Sequence, residues 1–258
     1  MKEAVSAGLT EPERERYARQ LSLPEFGDAG QARLKAARVL VAGLGGLGSP
    51  AAYFLAAAGV GTLILADGDT VDASNLQRQI LHTSGDVGRL KTDSAAAKLR
   101  ALNPHVTCIL HARRIGAGDA RALVEGCDFV IDATDNFPSK FVLADACYAA
   151  GVPCCHAGVD RFEGQLLTVL PGRSACYRCI GESPPPPEGS VTRGPLGVVP
   201  GVLGALQATE AIKHLAGCGT LLTDCLLTYD ARRLAFRGID VRRRADCPLC
   251  GQRRGGEQ

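Results

Sequence analysis

Two pairs of cysteines have the spacing of metal ligands. Cys176 and Cys179 form one C-x-x-C pair, and Cys247 and Cys250, followed by glycine, form a second. Four thiolates from two such pairs make a closed tetrahedral zinc site with no open position for catalysis. A redox-active C-x-x-C is the alternative, but it opens a helix after a strand, and two pairs favour metal. We therefore predict a structural zinc site that ties the C-terminal segment to the region after residue 160.

A glycine-rich segment is a second candidate site. Gly43, Gly45 and Gly48 match the G-x-G-x-x-G pattern that follows a buried strand in nucleotide-binding folds. Glycines let the backbone approach a phosphate, and the following helix supplies unpaired N–H groups. Asp67 lies 19 residues beyond Gly48, where such folds place an acid on a ribose hydroxyl. The motif predicts a nucleotide without distinguishing NAD from ATP; the alternative is a tight turn that binds nothing.

Cations near this loop indicate reacting phosphates. The segment SNLQRQ follows Asp67, Asp69 and Asp72, which we expect at the carboxyl edge of the sheet, where ligands bind. Arg78 in this segment could form two parallel hydrogen bonds to phosphate oxygens, and Lys91 begins the next predicted helix. The alternative for each cation alone is an exposed, solvated side chain.

The segment DATDNF contains a candidate magnesium ligand. A predicted strand, residues 129–133, ends just before Asp135 and Asn136 at the same edge. Magnesium is commonly bound by one or two carboxylates together with phosphate oxygens and water, which suits Asp135. The alternative is that Asp135 or Asn136 caps the next helix.

Alternating patterns predict the elements that position these segments. Apolar runs and helical periods alternate from residue 38 to about residue 157, which predicts a Rossmann-like doubly wound, mostly parallel α/β sheet. The predicted strands are 38–42, 62–66, 106–111, 129–133 and 153–157, and the predicted helices are 11–20, 29–37, 51–58, 91–102, 119–125 and 139–150. After residue 160 we predict antiparallel additions at 165–170, 225–229 and 233–239, with one long helix at about 202–215.

Local signals refine these boundaries. Thr10 and Glu13 fit a capping box, whereas Ser49 and Pro50 resemble an N-cap followed by a proline at the first helical position. Proline and glycine in residues 182–201 predict an exposed crossover loop. We expect one compact domain with an N-terminal arm (1–37), a nucleotide-binding part (38–160) and an extension (161–258).

Composition excludes several classes of function. The chain has 258 residues, of which 46% are hydrophobic, so it can bury a full core, and its net charge of +2 gives no general attraction to nucleic acid or membranes. We find no targeting segment and no apolar run of about 18 residues, and we expect a cytoplasmic protein. Eleven cysteines, an odd number, argue against a complete disulfide framework.

Together the motifs resemble those of the MoeB/ThiF/HesA family, the bacterial relatives of ubiquitin-activating enzymes. The resemblance is greatest to the molybdopterin-synthase (MoeB) and thiamine-pathway adenylyltransferases, which use ATP to activate the C-terminal glycine of a small ubiquitin-like sulfur carrier. It runs nearly end to end through RYARQLSLPEFGDAGQ, GLGGLGSP, ASNLQRQILH, GRLKTDSA, LNP, DATDNF, GQLLTVLPG, CYRC, LQATEAIK and CPLC.

The resemblance implies roles for individual residues. Arg78 would contact the phosphates of ATP, Lys91 would stabilise the reacting phosphate, and Asp135 would bind magnesium. Arg19 would reach across a homodimer interface into the neighbouring ATP site, so the implied catalytic residues are Arg19, Arg78, Lys91 and Asp135. The implied nucleotide contacts are Gly43, Gly45, Gly46, Gly48, Asp67, Asp69, Ser74, Asn75, Leu76, Gln77, Arg78, Lys91, Asp135 and Asn136.

The same resemblance implies a reaction and partners. The carrier, ending in Gly-Gly, would become an acyl-adenylate with release of pyrophosphate, for later thiocarboxylate formation in molybdenum cofactor or thiamine biosynthesis. Relatives that bind sulfur or form thioesters carry a cysteine where this chain has Ser190, and no cysteine lies between Cys179 and Cys218. We therefore expect the reaction to stop at the adenylate, with a cysteine desulfurase or rhodanese as a separate sulfur donor and no rhodanese domain after Cys250.

Two other functions stay open. An NAD-dependent oxidoreductase would account for the glycine loop and Asp67, but it gives Arg78, Lys91 and Asp135 no role. A catalytically silent, zinc-stapled module that binds a ubiquitin-like protein would account for the cysteines, but it would not need the cations.

Overall fold

An eight-stranded sheet organises the chain. The computed structural model describes residues 8–181 and 194–251. Its strands are β1 (Arg38–Ala42), β2 (Thr62–Ala66), β3 (Thr107–His111), β4 (Phe129–Asp132), β5 (Cys154–Asp160), β6 (Glu163–Val169), β7 (Cys225–Asp230) and β8 (Ala235–Asp240). Their spatial order is β3-β2-β1-β4-β5-β6-β7-β8. The strands β1 to β5 are parallel and β6 to β8 are antiparallel additions, so the predicted fold class is confirmed.

Helices cover both faces of the parallel part. They are α1 (Glu11–Leu21), α2 (Gly27–Ala36), α3 (Gly48–Ala58), α4 (Lys91–Leu102), α5 (Ala120–Val124), α6 (Phe137–Ala150) and α7 (Val198–Ala216). Along β1, Val39 and Val41 pack with residues of α3 and α7, whereas Leu40 and Ala42 pack with residues of α5 and α6. This burial on both sides is why the strand is continuously apolar. In the described ranges no helix is long and apolar enough to cross a membrane.

The start of α3 differs from the prediction at Ser49. The helix begins at Gly48, and its N-cap position is Leu47, which makes no side-chain capping bond. Ser49 lies inside the first turn, where its hydroxyl donates to the Leu44 carbonyl oxygen at 3.4 Å. The reason is the tight loop before the helix: a Cβ on Gly48 would lie only 1.9 Å from the Gly43 carbonyl oxygen. The prediction that Ser49 is the N-cap was wrong.

The start of α7 also differs from the prediction. The helix begins at Val198 instead of about 202, so residues 198–201 are helical and not part of a crossover loop. Pro200 falls in the first turn, where a backbone N–H has no intrahelical acceptor and proline is tolerated. Residues 182–193 of the predicted loop, including Ser190, lie outside the described residues. At the N-terminus, the capping box of Thr10 and Glu13 is confirmed.

The antiparallel extension continues the same sheet. Strand β6 pairs with β5 from Asp160↔Glu163 to Cys154↔Val169, so no gap separates the two parts at residue 160. The described residues of the extension include both cysteine pairs. The division of the chain at residues 37 and 160 stays a prediction.

Candidate functional site

The glycine loop lies at the point where the strand order reverses. Strands β2 and β3 extend from one side of β1, and β4 and β5 extend from the other, which leaves a crevice beyond the carboxyl ends of β1 and β4. Gly43 follows β1 with φ of +92°, and a Cβ there would lie 2.6 Å from the Ala133 carbonyl oxygen. Only glycine fits this approach between the ends of the two strands.

Asp67 fixes the loop to the end of β2. Its carboxylate accepts hydrogen bonds from the backbone N–H groups of Leu44 and Asp69, both at 2.8 Å. On the opposite side the first turn of α7 covers the loop, since a Cβ on Gly46 would lie 3.0 Å from Pro200. The N-terminus of α3 therefore faces this crevice with no side chain capping it. Such an arrangement suits phosphate oxygens.

Arg78 is held beside the loop. Asn75 Oδ1 accepts from Arg78 Nη2 at 2.8 Å, and the Ser74 carbonyl oxygen accepts from Arg78 Nη1 at 3.3 Å. The Arg78 Cγ would lie 3.5 Å from a Cβ on Gly46. The structure thus brings Asn75, Arg78 and Gly46 together.

The remaining residues of the segment have other contacts. Asp72 accepts from the backbone N–H and the hydroxyl of Ser74, and these two bonds lower the pKa of Asp72. Gln77 is exposed and lies against the start of α7, where a Cβ on Gly197 would be 2.2 Å from its carbonyl oxygen. Leu76 is half-buried. A nucleotide role for Ser74, Leu76 and Gln77 stays a prediction.

Gln79 is a residue that the sequence prediction missed. It is buried, its Nε2 donates to Asn75 Oδ1 at 3.1 Å, and this nitrogen would lie 3.5 Å from a Cβ on Gly45. Its Oε1 has no hydrogen-bond partner among the described residues. A buried amide oxygen beside the loop is an acceptor for a ligand donor. The polar segment SNLQRQ, which contains both Arg78 and Gln79, was the sequence feature that could have identified Gln79.

Asp69 holds two cations at the mouth of the crevice. Lys91, which is buried at the start of α4, places its Nζ 3.3 Å from Asp69 Oδ2, and Arg114 Nη2 lies 3.1 Å from Oδ1. Burial raises the pKa of Asp69, but the hydrogen bond from Arg114 and the charge of Lys91 outweigh it, so this pKa is lowered. The sequence prediction missed Arg114. Its hydrogen bond to Asp69 raises the pKa of Arg114, and the charges of Asp135 and Asp67 add to the effect.

Asp135 is exposed on the turn after β4. Its Oδ1 accepts from Asn136 Nδ2 at 3.3 Å, and the residue follows β4 at the same edge of the sheet as the glycine loop. Asn136 caps α6 by accepting from the Ser139 N–H at 2.9 Å, which confirms the alternative for that residue. Asp135 is thus the residue of this turn that could bind magnesium together with phosphate oxygens.

Arg19 lies at the opposite edge of the sheet. Its helix α1 is fixed by Gln20, which donates to the Ala58 carbonyl oxygen at 3.1 Å, and by Tyr17, whose hydroxyl accepts from Asn103 Nδ2 at 2.8 Å. Ala58 ends α3, whereas the glycine loop precedes the start of α3. The 11 residues of α3 separate the two by about 16 Å. Arg19 is exposed and too far from the glycine loop of its own chain to contact a nucleotide there.

The four predicted cysteines form one cluster. All four Sγ atoms lie within 4.8 Å of one another. The Cys176–Cys179, Cys176–Cys247 and Cys179–Cys250 separations are 3.8, 3.5 and 3.3 Å. Tetrahedral thiolates at about 2.3 Å from zinc lie roughly 3.8 Å apart, so the donor set fits zinc.

The surroundings of the cluster favour a thiolate at Cys247, and they attach the cluster to a neighbouring helix. Burial raises the pKa of Cys247, but hydrogen bonds from the backbone N–H groups of Cys250 and Leu249 outweigh it and bring this pKa to about 7. Arg178, within the first cysteine pair, donates from Nε and Nη2 to the two carboxylate oxygens of Asp145 on α6, both at 2.7 Å. Its guanidinium lies 4.9 Å from the ring centroid of Phe141 on the same helix. These contacts attach the cysteine cluster to α6.

Known proteins are similar to this chain in sequence and in fold. The chain matches the ThiF family over residues 17–249. It is 50% identical to the adenylyltransferase and sulfurtransferase MOCS3 of Bos taurus over 96% of this chain and 55% of the relative, so it spans about half of that protein.

Two further comparisons cover most of the chain. It is 42% identical to a sulfur carrier protein adenylyltransferase of Thermus thermophilus, over 94% of this chain and 92% of the relative. A solved structure of E. coli MccB with ATP superposes with a TM-score of 0.75 and 25% identity, over 86% of this chain and 69% of MccB. The resemblance inferred from the motifs is confirmed, and the chain belongs to the ThiF family.

Proposed function

We propose that this chain is an ATP-dependent adenylyltransferase that activates the C-terminal glycine of a ubiquitin-like sulfur carrier ending in Gly-Gly. The observation that carries the proposal is the convergence of the glycine loop, Arg78, Lys91 and Asp135 at one edge of the sheet. The names of the bovine and Thermus relatives and the ATP-bound MccB structure support it.

The reaction requires positive charge more than a base. A C-terminal carboxyl group has a pKa of about 3.5, so at neutral pH it is already an anionic nucleophile. One of its oxygens attacks the α-phosphorus of ATP, the bond from that phosphorus to the bridging oxygen breaks, and pyrophosphate leaves. Because both reactants are anionic, the site must offset their repulsion, and Arg78 and Lys91 are the cations placed beside the loop for this purpose.

Asp135 and the cysteines are assigned to two metals. Asp135 would bind magnesium with phosphate oxygens, and the bound ion would neutralise charge on the departing pyrophosphate. Cys176, Cys179, Cys247 and Cys250 would bind zinc in a structural role.

A homodimer would give Arg19 a function. Because Arg19 lies about one helix length from the glycine loop of its own chain, we assign it to the ATP site of a partner subunit. A separate protein, a cysteine desulfurase or a rhodanese, would supply sulfur for the thiocarboxylate used in molybdenum cofactor or thiamine biosynthesis. None of the eleven cysteines, all of which lie in the described residues, forms a disulfide, which supports our assignment of the protein to the reducing cytoplasm.

Pyrophosphate–ATP exchange with carriers ending in Gly-Gly tests the proposal. Carrier-dependent exchange is expected, and an NAD-dependent oxidoreductase or a silent binding module would show none. Asp135→Ala should lose exchange by a few hundredfold, about 3 kcal/mol, with an unchanged melting temperature. Glu125→Ala, which removes an exposed acid after α5, is the matched control and should retain exchange. Wild-type exchange by Asp135→Ala would reject the assignment of Asp135.

A further inference from the structure

A buried polar network connects the cysteine cluster to the turn that carries Asp135. We propose that Tyr177, His156 and Asp132 are positioning residues for this turn, so that metal in the cysteine cluster supports adenylation as well as the local fold. This inference rests on the proposed function, because it assumes that Asp135 acts in adenylation.

Asp132 holds the turn from inside the protein. It ends β4 with a fully buried carboxylate whose Oδ1 accepts from the Thr134 N–H at 3.1 Å and from the Thr134 hydroxyl at 2.6 Å. These two bonds fix the backbone directly before Asp135. The direction of the Asp135 carboxylate therefore depends on where the Asp132 carboxylate is held.

Two buried residues, His156 and Lys140, hold the Asp132 carboxylate in place. Its Oδ2 lies 2.8 Å from His156 Nδ1 and 3.3 Å from Lys140 Nζ. Lys140 and His156 are both more than nine-tenths buried, and Lys140 also donates to the Ala157 carbonyl oxygen. A buried carboxylate that loses one of its donors is strongly disfavoured, so Asp132 would shift or draw in water.

His156 is in turn packed against the cysteine cluster. Its ring centroid lies 4.5 Å from that of Tyr177, with an interplanar angle of 34°. Tyr177 stands between the ligands Cys176 and Cys179, and its other neighbour is Phe141, at 5.2 Å edge to face. The position of the Tyr177 ring thus depends on the conformation of the first cysteine pair.

Through this network, loss of metal from the cysteine cluster affects the turn that carries Asp135. Without metal the first cysteine pair loses one of its attachments and keeps those of Arg178 to Asp145 and of Tyr177 to Phe141. The Tyr177 ring then fixes His156 less firmly, which weakens the hydrogen bond between His156 and Asp132. A displacement of about 1 Å at a reacting group can cost up to about 100-fold in rate. We therefore expect partial loss of activity with a retained fold, and weaker binding of magnesium.

Paired substitutions at Tyr177 test this path. Tyr177→Leu keeps an apolar side chain but removes the ring, and Tyr177→Phe keeps the ring. With metal content and melting temperature measured for both, Tyr177→Leu should raise the magnesium concentration for half-maximal exchange by about tenfold. Tyr177→Phe should behave as wild type. Wild-type magnesium dependence in a metal-loaded Tyr177→Leu variant would overturn the inference.

If Tyr177→Leu fails to bind metal, substitutions at His156 provide a second test of the same inference. His156→Asn retains an N–H donor for Asp132, whereas His156→Leu removes it. His156→Leu should show the same weakened magnesium dependence, and His156→Asn should recover most of it. Equal behaviour of the two variants, both like wild type, would also overturn the inference.

Hydrogen exchange provides a readout that does not use activity. In wild-type protein stripped of metal by a chelator, the Thr134 amide should exchange faster, because its acceptor Asp132 is less well held. Faster exchange confined to residues 176–179 and 243–251 would contradict the inference. Asp135→Asn separates the two proposals. If wild-type protein shows no carrier-dependent exchange, the proposed function fails. If Asp135→Asn retains exchange, the assignment of Asp135 fails and this inference with it. If Asp135→Asn is inactive while the Tyr177 and His156 variants are normal, only this inference fails.

Discussion

Lys91 Nζ lies 3.3 Å from Oδ2 of Asp69, and the Lys91 backbone N–H donates to the Asp69 carbonyl oxygen at 3.0 Å. The two residues therefore join the start of α4 to the loop after β2 by both main chain and side chain. Because the Lys91 ammonium is almost completely buried, it needs a counter-charge in the absence of nucleotide. Asp69 supplies it and keeps the ammonium at the edge of the crevice.

Lys91→Met should remove this charge while keeping the volume of the side chain. If Lys91 stabilises the transferred phosphate, kcat/KM for pyrophosphate exchange should fall by a few hundredfold, about 3 kcal/mol. Asp69→Asn should cause a smaller loss, because the ammonium remains. The exposed Arg113, a neighbour of Arg114, gives a matched control in Arg113→Met. Comparable losses in Arg113→Met and Lys91→Met would indicate a general charge effect.

Residues near one another in sequence were the predictable part of this site. The G-x-G-x-x-G loop, the strand before it and Asp67 belong to one βαβ unit, so their spacing alone places them at the carboxyl edge. Lys91 followed from the same alternation, since a helix that leads from one parallel strand to the next begins at that edge. The four-cysteine cluster was predictable because C-x-x-C pairs have few other uses.

The residues that the sequence did not predict depend on distant pairing or on local competition. Arg114 is recognisable only through Asp69, 45 positions earlier, and the role of Asp132 only through His156 and Lys140. Ser49 has a residue type that is common at the N-cap position. The close approach of Gly48 to Gly43 makes α3 begin earlier in the chain, at Gly48, so Ser49 lies inside the first turn. Such competition is visible only in three dimensions.

Mixed dimers should test whether Arg19 acts in the partner subunit. Arg19→Ala and Asp135→Asn should each be inactive as homodimers. In a heterodimer of the two, one site has both defects and the other has neither, so the purified heterodimer should recover about half of wild-type exchange. The measurement is exchange activity of the tagged, purified heterodimer.

The control for this experiment uses two residues of the same site. Arg78→Ala and Asp135→Asn both lie at the nucleotide crevice of their own chain, so every site in their heterodimer keeps one defect. This pair should stay inactive. Equal recovery in both pairs, or recovery in neither, would contradict the assignment of Arg19 to the partner.

Removal of one cysteine ligand should release metal and loosen the C-terminal segment. Cys250→Ser is expected to lower the metal content to near zero, because three thiolates and a neutral hydroxyl bind zinc weakly. Limited proteolysis should then cut near residues 241–251 before it cuts the parallel part of the sheet. Cys218→Ser, at a half-buried thiol outside the cluster, is the control. Full metal content in Cys250→Ser would show that the cluster is not the metal site.

The ionised Glu13 carboxylate should stabilise the folded protein, and this stabilisation should be lost in acid. Its Oε2 accepts from the Thr10 N–H and hydroxyl at 2.7 and 2.8 Å, and from Lys35 Nζ at 2.8 Å. Burial raises the pKa of Glu13, but Lys35 and Thr10 outweigh it and bring the pKa from 4.5 to about 2. Because the folded state binds this proton less readily than the unfolded state, the stabilisation is complete above pH 4.5 and is lost as the pH falls towards 2.

Glu13→Gln isolates this contribution. The variant should be less stable than wild type at pH 6, because it lacks the ion pair with Lys35. The difference should narrow as the pH falls from 4.5 towards 2, because Glu13 then binds a proton in the unfolded chain while the folded protein still keeps it ionised. Asp86 and Asp132, whose pKa values are also lowered in the folded state, contribute equally to both proteins. Urea unfolding midpoints from pH 6 to pH 3 provide the measurement. Parallel curves for the two proteins would mean that Glu13 titrates alike in the folded and unfolded chains.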